Sequence, residues 1–168
     1  RENTILAIGN LSRWKIKGFD NLLLIFNEIQ KLVPNYKLQI VGGGDSSFLA
    51  KLSNELGISN KVEFIGEVSD IQNYMQKASI FVLTSRWEGL PMALIESMSQ
   101  GLPVVAYDCF SGPRDVVSSY KDGILVKDQA RDLFVKEVVN LIHNKKLRFK
   151  LAVEAIKTVK KYEIDSII

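Results

Sequence analysis

Short apolar runs alternate along the chain with longer stretches in which apolar residues recur every three or four positions. The short runs are rich in valine and isoleucine, which is typical of strands that are buried on both faces of a sheet. The runs that predict strands are residues 4–8, 36–41, 62–65, 80–83, 103–107 and 123–126.

The stretches with three- to four-residue periodicity predict amphipathic helices. Asp45 and Ser69 are the expected N-caps of two of them, and Gly57 and Gly101 are expected C-terminal stops. Pro91 suits the first turn of the helix that ends at Gly101. The predicted helices are residues 19–32, 45–56, 91–100, 131–143 and 146–162, with a short helix after Ser69 and a turn or short helix near residues 113–118.

Buried strands that alternate with helices predict an α/β fold. They form a parallel sheet covered on both faces, with right-handed connections. We therefore expect a doubly wound, Rossmann-like parallel sheet of about six strands with helices on both faces, in a single domain of residues 1–168. Ligands of such sheets bind at the carboxyl ends of the strands. Glycine and polar residues follow the predicted strands at that edge, in residues 9–17, 42–45, 66, 85–90 and 111–115.

Two carboxylates stand eight positions apart, Glu88 in the loop after the fourth strand and Glu96 inside the following helix. The helical rise places Glu96 roughly 7–9 Å along the axis from the helix start. Two acceptors at this separation suit an extended ligand with two hydroxyl-bearing parts, and the helix N-terminus between them suits a phosphate. A nucleotide sugar has this shape. The helix dipole alone also favours an early glutamate, so Glu96 as a solvated residue is the alternative.

Composition narrows the class of protein. The 168 residues carry a net charge of +3, which permits an anionic small ligand and does not indicate nucleic acid binding. Cys109 is the only cysteine, so an internal disulfide is impossible and a cytoplasmic location is expected. No His, Cys and Asp cluster has metal-ligand spacing, and we expect no metal. The chain begins at Arg1 without an initiator methionine, and we expect it to be part of a longer protein.

Four blocks of sequence, taken in order, carry a family resemblance. They are residues 9–20, residues 38–44, residues 62–68, and residues 85–96 followed by 101–106. The chain resembles the C-terminal, donor-binding domain of glycosyltransferase family 4, the group 1 enzymes with the two-domain GT-B fold. The fourth block, with Glu88 and Glu96 in their strand-loop-helix setting, is the most specific of the four.

The resemblance implies a retaining transferase that uses a nucleotide sugar, most often UDP- or GDP-linked, without a cofactor or metal. Glu88 would accept hydrogen bonds from the donor sugar, and Glu96 from the ribose. Arg13 and Lys17 would neutralise the pyrophosphate. The remaining donor-binding residues that the resemblance implies are the strand-end Gly9, the backbone N–H groups of Gly89 and Leu90, and Gly66 and Val68 beside the base.

Two departures from the family pattern affect these roles. Asn10 stands where the family has an arginine, so Arg13 is expected to reach the phosphate from a longer loop, with Lys15 as the competing cation. Asp115 stands where the family often has glutamate, and it is equally well a cap or turn residue. A non-catalytic nucleotide- or partner-binding Rossmann domain is the alternative function, and a dehydrogenase is disfavoured because the first strand lacks Gly-x-Gly-x-x-Gly after it.

The expected partners are a nucleotide-sugar donor and an acceptor glycan or glycolipid held by an N-terminal domain outside this chain. The isolated chain is then expected to bind nucleotide weakly and to transfer nothing. The resemblance, with a lysine-, isoleucine- and asparagine-rich composition, indicates bacterial surface polysaccharide or glycolipid synthesis, at the inner face of the cell membrane. The basic residues 145–150 are expected to be a solvated helix face, with a membrane-surface contact as the alternative.

Overall fold

A sheet of six parallel strands forms the centre of the computed structural model, which describes residues 1–165. The strands lie in the order β3-β2-β1-β4-β5-β6, and each neighbouring pair is parallel. The doubly wound α/β prediction is confirmed, and each strand starts and ends within one residue of its predicted bounds. The strands are β1 (Thr4–Ile8), β2 (Lys37–Val41), β3 (Val62–Gly66), β4 (Ile80–Leu83), β5 (Val104–Asp108) and β6 (Ile124–Lys127).

Helices cover both faces of this sheet. None of them, in the part of the chain that the structure describes, is both long enough and apolar enough to cross a membrane. The helices are α1 (Trp14–Lys17), α2 (Phe19–Leu32), α3 (Ser47–Glu55), α4 (Ile71–Lys77), α5 (Met92–Ser99), α6 (Pro113–Val116), α7 (Arg131–His143) and α8 (Lys145–Asp165), with 3₁₀ turns at Leu11–Arg13 and Ser59–Lys61.

The core has two sides because successive side chains of a strand point to opposite faces of the sheet. Ile5 and Ala7 of β1 pack with α2 and α7 in one buried cluster. Leu6, between them, packs with α4 and α5 in the other. From β1 the chain adds β2 and β3 on one side of the sheet, and it then crosses over to add β4, β5 and β6 on the other side. The direction in which strands are added therefore reverses between β1 and β4. A crevice therefore opens at the carboxyl ends of β1 and β4.

Three local predictions need correction. Residues 9–17 are not an open loop, because a 3₁₀ turn and then α1 fill most of them. Helix α3 starts at Ser47 after the N-cap residue Ser46, while the Asp45 carboxylate accepts a hydrogen bond from the Ser47 N–H at 2.9 Å. The N-cap of α4 is Asp70 rather than Ser69, since the Asp70 carboxylate accepts from the backbone of the third residue of that helix.

Arg1 forms hydrogen bonds with the C-terminal ends of two helices, on the side of the sheet away from the crevice. Its guanidinium donates to the backbone carbonyls that close α4, at distances of 2.7–3.1 Å. It also donates to the carbonyls of Gln100 and Gly101 at the end of α5, at 2.8 and 3.0 Å. Helix ends leave such carbonyls without intrahelical partners, and a cation suits them. One side chain therefore ties α4 and α5 together.

Gly18 ends α1 in a conformation that other residues rarely adopt. Its φ is +66°, in the left-handed region, and a Cβ atom there would lie 1.9 Å from the Thr84 carbonyl oxygen. The turn after α1 thus approaches the end of β4 more closely than any side chain would allow.

We predict that Gly18→Ala destabilises the protein by about 2–5 kcal/mol, because it adds left-handed strain and a backbone clash. Gly57→Ala is the matched control, since Gly57 has φ +72° and nothing within 4 Å of its Cβ position. The control should cost only about 1–2 kcal/mol. Urea unfolding measures both values, and equal losses in the two variants would contradict the close approach at Gly18.

Candidate functional site

Lys17 and Glu88 meet at the crevice between the carboxyl ends of β1 and β4. The Lys17 Nζ atom lies 2.8 Å from Glu88 Oε1, although 71 residues separate the two in sequence. The Ser85 hydroxyl donates to the same oxygen at 2.6 Å. Only 8% of the Glu88 side chain is exposed, so a nearby cation and a hydrogen-bond donor compensate its burial. The structure therefore brings together two residues of the predicted site.

The backbone around this pair is pinned by bonds between the two segments. The Thr84 hydroxyl, at the end of β4, lies 3.2 and 3.1 Å from the carbonyl oxygens of Lys17 and Gly18. The Arg86 N–H donates to the carbonyl of Ile16 at 2.8 Å, and the Arg86 guanidinium pairs with both carboxylate oxygens of Asp20. These contacts fix the end of α1 against the loop that carries Glu88.

A cavity of about 250 Å³ opens beside the ion pair. Arg13 and Lys17 line it together with Glu88, so two cations and one carboxylate face the same space. Gly9 and Leu90 are also in its wall, and the first residues of α5 close it. Helix α5 starts without a side-chain cap. Its N-terminus carries partial positive charge, which adds to that of Arg13 and favours an anionic ligand.

The loop between Glu88 and α5 rests on the segment before α6. A Cβ atom at Gly112 would lie 2.5 Å from the Gly89 carbonyl oxygen, and Gly112 has φ +88°. Gly89 itself is exposed, with nothing within 4 Å of its own Cβ position, and Leu90 is 68% exposed. The backbone at Gly89 is thus packed against Gly112, while Gly89 and Leu90 are themselves exposed to solvent.

Glu96 lies apart from the cavity. It is exposed on the second turn of α5, about 6 Å along the helix axis from Met92. Its carboxylate makes no hydrogen bond or ion pair with any side chain or backbone group within residues 1–165. A ligand that touched both Glu88 and Glu96 would have to extend along the start of α5.

Gly66 ends β3 and Val68 follows it, two strands away from β1. Strand spacing places this end of the sheet roughly 10 Å from the ion pair. Gly66 has φ +84° and open space at its Cβ position, and its carbonyl accepts from the Gly42 N–H at 2.9 Å. Val68 is half-buried against the core. These residues line a different part of the carboxyl edge from Lys17 and Glu88.

The two candidate cations that compete for the place of the family arginine have different surroundings. Arg13 lines the cavity, whereas the Lys15 ammonium lies 5.3 Å from the centre of the Trp14 ring. Trp14 stacks on Phe48, with ring centres 4.2 Å apart. Asn10 starts the 3₁₀ turn, and its side-chain oxygen accepts from the Ser12 N–H at 2.8 Å. The Asn10 side chain therefore caps the 3₁₀ turn that carries Arg13.

Several other sequence-based expectations have a clear structural outcome. Trp87, next to Glu88, is 51% exposed and forms an isolated bridge with Phe110. Asp115 lies in the first turn of α6, where its carbonyl accepts from the Tyr162 hydroxyl. Within residues 145–150 the lysines are exposed, but Arg148 turns inward and donates to the carbonyls at the end of α7.

Sequence reasoning did not single out Thr84, and it gave Ser85 a place at the predicted edge but no role. Both are buried, and both act through hydroxyl groups at the end of a strand that is otherwise apolar. The signal in the sequence is the change from four apolar residues to Thr-Ser immediately before the loop with Glu88. Hydroxyl residues at a strand end that faces a predicted crevice are candidates for orienting a neighbouring carboxylate.

Known proteins resemble this chain over most of its length. The family model described as "Glycosyl transferases group 1" matches residues 1–158. An uncharacterized glycosyltransferase of Haemophilus influenzae is 35% identical over 166 residues, which are 98% of this chain and 46% of that protein. Amylovoran biosynthesis glycosyltransferase AmsD of Erwinia amylovora is 33% identical over 150 residues, or 88% of this chain and 41% of that protein. The chain spans less than half the length of these relatives.

Solved structures share the fold. TarM of S. aureus, crystallised with UDP among other ligands, superposes with a TM-score of 0.92 at 25% identity, over 99% of this chain and 34% of that one. The C-terminal domain of the group 1 family protein LpcC from Francisella tularensis superposes with a TM-score of 0.82 at 21% identity. That match covers 95% of this chain and 86% of the LpcC domain.

Cys109 follows β5 and is fully buried. Burial, with smaller contributions from the nearby carboxylates of Asp128 and Glu88, raises the pKa of its thiol to about 11. The thiolate is the nucleophilic form of cysteine. A nucleophilic role for Cys109 is thus unfavourable on chemical grounds as well as on access.

We predict that Cys109 in the folded protein reacts with Ellman's reagent at pH 8 at least about 100-fold more slowly than in urea, because the raised pKa leaves little thiolate and burial blocks access. Because the chain has a single cysteine, the absorbance at saturation directly counts the labelled chains. Labelling of the folded protein at the rate of the unfolded chain would contradict the buried placement.

Proposed function

The chain belongs to the group 1 glycosyltransferase family, as its motifs predicted, and we propose that it is the donor-binding domain of a retaining glycosyltransferase. The donor is a nucleotide sugar, and the products are a glycosylated acceptor hydroxyl and a nucleoside diphosphate. The observation that carries the proposal is the cavity in which Arg13, Lys17 and Glu88 face one another beside the uncapped start of α5.

The charges in this cavity match the parts of such a donor. Glu88 accepts hydrogen bonds from sugar hydroxyls near the reacting carbon. When the bond from that carbon to the diphosphate oxygen breaks, its electron pair stays on the diphosphate. The acceptor oxygen bonds to the carbon, and its proton passes to the departing diphosphate oxygen. Arg13, Lys17 and the start of α5 stabilise the charge that develops on the leaving group, and they do so without a metal or cofactor.

The nucleoside extends away from the cavity along the carboxyl edge of the sheet. Glu96 accepts from the ribose hydroxyls, with the backbone of Gly89 and Leu90 between it and the sugar. The base lies near Gly66 and Val68, roughly 10 Å from the ion pair. UDP is the favoured nucleotide because TarM, which has the same fold, was crystallised with UDP, and GDP is the alternative.

The whole protein, in this proposal, builds bacterial surface polysaccharide or glycolipid at the cytoplasmic face of the membrane. The names of its relatives support this setting: one is an amylovoran biosynthesis enzyme, and another is a lipopolysaccharide 1,6-galactosyltransferase of Salmonella typhimurium that is 33% identical over 79% of this chain. The acceptor is held by a further domain, so the chain by itself binds donor and does not transfer.

We predict saturable binding of one nucleotide in calorimetric titrations with UDP, GDP, ADP and their sugars. Glu96→Ala should weaken the nucleotide by about tenfold, the loss expected for a charged hydrogen-bond acceptor. Glu55→Ala is the matched control, because Glu55 is an exposed glutamate at the end of α3. Absence of binding to every nucleotide, or equal affinities for the two variants, would contradict the proposed donor site.

A second titration distinguishes the two cations of the segment between β1 and α2. Arg13→Ala should weaken the bound nucleotide diphosphate by about tenfold or more and reduce the salt dependence of its affinity, because a charge-assisted contact with phosphate is lost. Lys15→Ala should change the affinity less than about twofold, since Lys15 lies over Trp14 and outside the cavity. The reverse pattern would assign the phosphate contact to Lys15.

A further inference from the structure

We infer that Ser85 is the positioning residue that keeps Glu88 aimed into the cavity once Lys17 engages the diphosphate. The inference rests on the proposed function and assigns a role to a residue to which the resemblance gave none. It starts from the three groups that converge on one oxygen atom: Lys17 Nζ, Ser85 Oγ and Glu88 Oε1.

The ligand-free protein depends on Lys17 to compensate a buried charge. Glu88 as a whole residue is only 6% exposed, and its Oε1 atom lies 2.8 Å from the Lys17 ammonium. A buried carboxylate that loses its cation is left with an uncompensated charge unless other donors hold it. The same ammonium faces the cavity in which the diphosphate binds. When Lys17 turns toward the diphosphate, its contact with Glu88 weakens at the step in which Glu88 must stay in place.

Ser85 is suited to hold Glu88 at that step. Its side chain is fully buried, and its hydroxyl lies 2.6 Å from Oε1. Unlike lysine, serine is neutral and short, so a diphosphate does not draw it away. Its backbone is fixed on both sides, by the Thr84 hydroxyl at the carbonyls of Lys17 and Gly18 and by the Arg86 N–H at the carbonyl of Ile16.

The geometry also leaves one carboxylate oxygen for the donor sugar. The hydrogen bonds that Glu88 accepts from side chains within residues 1–165 both go to Oε1. Oε2 is thus available to accept from a sugar hydroxyl. Removing the Ser85 hydroxyl should impair recognition of the sugar and leave recognition of the nucleotide unchanged.

The test compares UDP with the UDP-sugar that the wild-type chain binds most tightly among UDP-glucose, UDP-galactose and UDP-N-acetylglucosamine. Calorimetry gives the affinity ratio of UDP-sugar to UDP for each variant. Ser85→Ala should reduce this ratio about tenfold with UDP affinity unchanged. Ser85→Thr, which keeps a hydroxyl, should restore it. Ser85→Cys keeps a similar size but donates weakly, so it should give an intermediate ratio and serves if Ser85→Ala does not fold.

Thr4→Val is the control for loss of a buried hydroxyl. Thr4 is buried at the far end of β1, and its hydroxyl has no partner among the described residues. Its affinity ratio should equal that of the wild type. A ratio unchanged in Ser85→Ala, an equal loss for UDP and UDP-sugar, or a wild-type chain in which no sugar adds to UDP affinity would each overturn the role of Ser85. Failure of the wild-type chain to bind any nucleotide would overturn the proposed function itself.

Discussion

The contact between Thr84 and the turn at Gly18 is the constraint on which the site depends. The residues that supply its charges come from segments far apart in sequence, and each would sample many positions as a free loop. The Thr84 hydroxyl bonds to the carbonyls of Lys17 and Gly18, and the missing side chain of Gly18 lets the two backbones touch. The sheet brings β1 and β4 side by side, and this contact fixes the turn after α1 against the end of β4.

The electrostatics of the cavity follow from this fixed backbone. Two cations face one carboxylate, and the carboxylate is already neutralised by one of them. The second cation, together with the N-terminus of α5, attracts an anion into the cavity. Beside it, the Glu88 carboxylate can accept hydrogen bonds from hydroxyl groups. A ligand that carries a diphosphate next to a polyhydroxylated ring satisfies both demands at once. Neither a simple phosphate nor a neutral sugar uses the whole arrangement.

The sequence predicts the fold better than it predicts the finer structure of the site. Buried parallel strands are marked by their own apolar residues, so all six could be located. The 3₁₀ turn and α1 could not, because Asn10 and the stacking of Trp14 on Phe48 stabilise them, and Phe48 lies on a distant helix. Glu88 was recognisable from its motif, but its buried partner Ser85 was not, since a hydroxyl becomes informative only when its acceptor is known.

Arg1 has a practical consequence for defining where the domain begins. A version of the chain that starts at Glu2 would keep every strand and helix residue, and a boundary drawn from secondary structure would look complete. It would nevertheless lose five hydrogen bonds that close α4 and α5. Helix α5 carries Glu96 in its middle, and the Gln100 N–H donates to the Glu96 carbonyl, so fraying at Gln100 and Gly101 would reach the turn that holds Glu96.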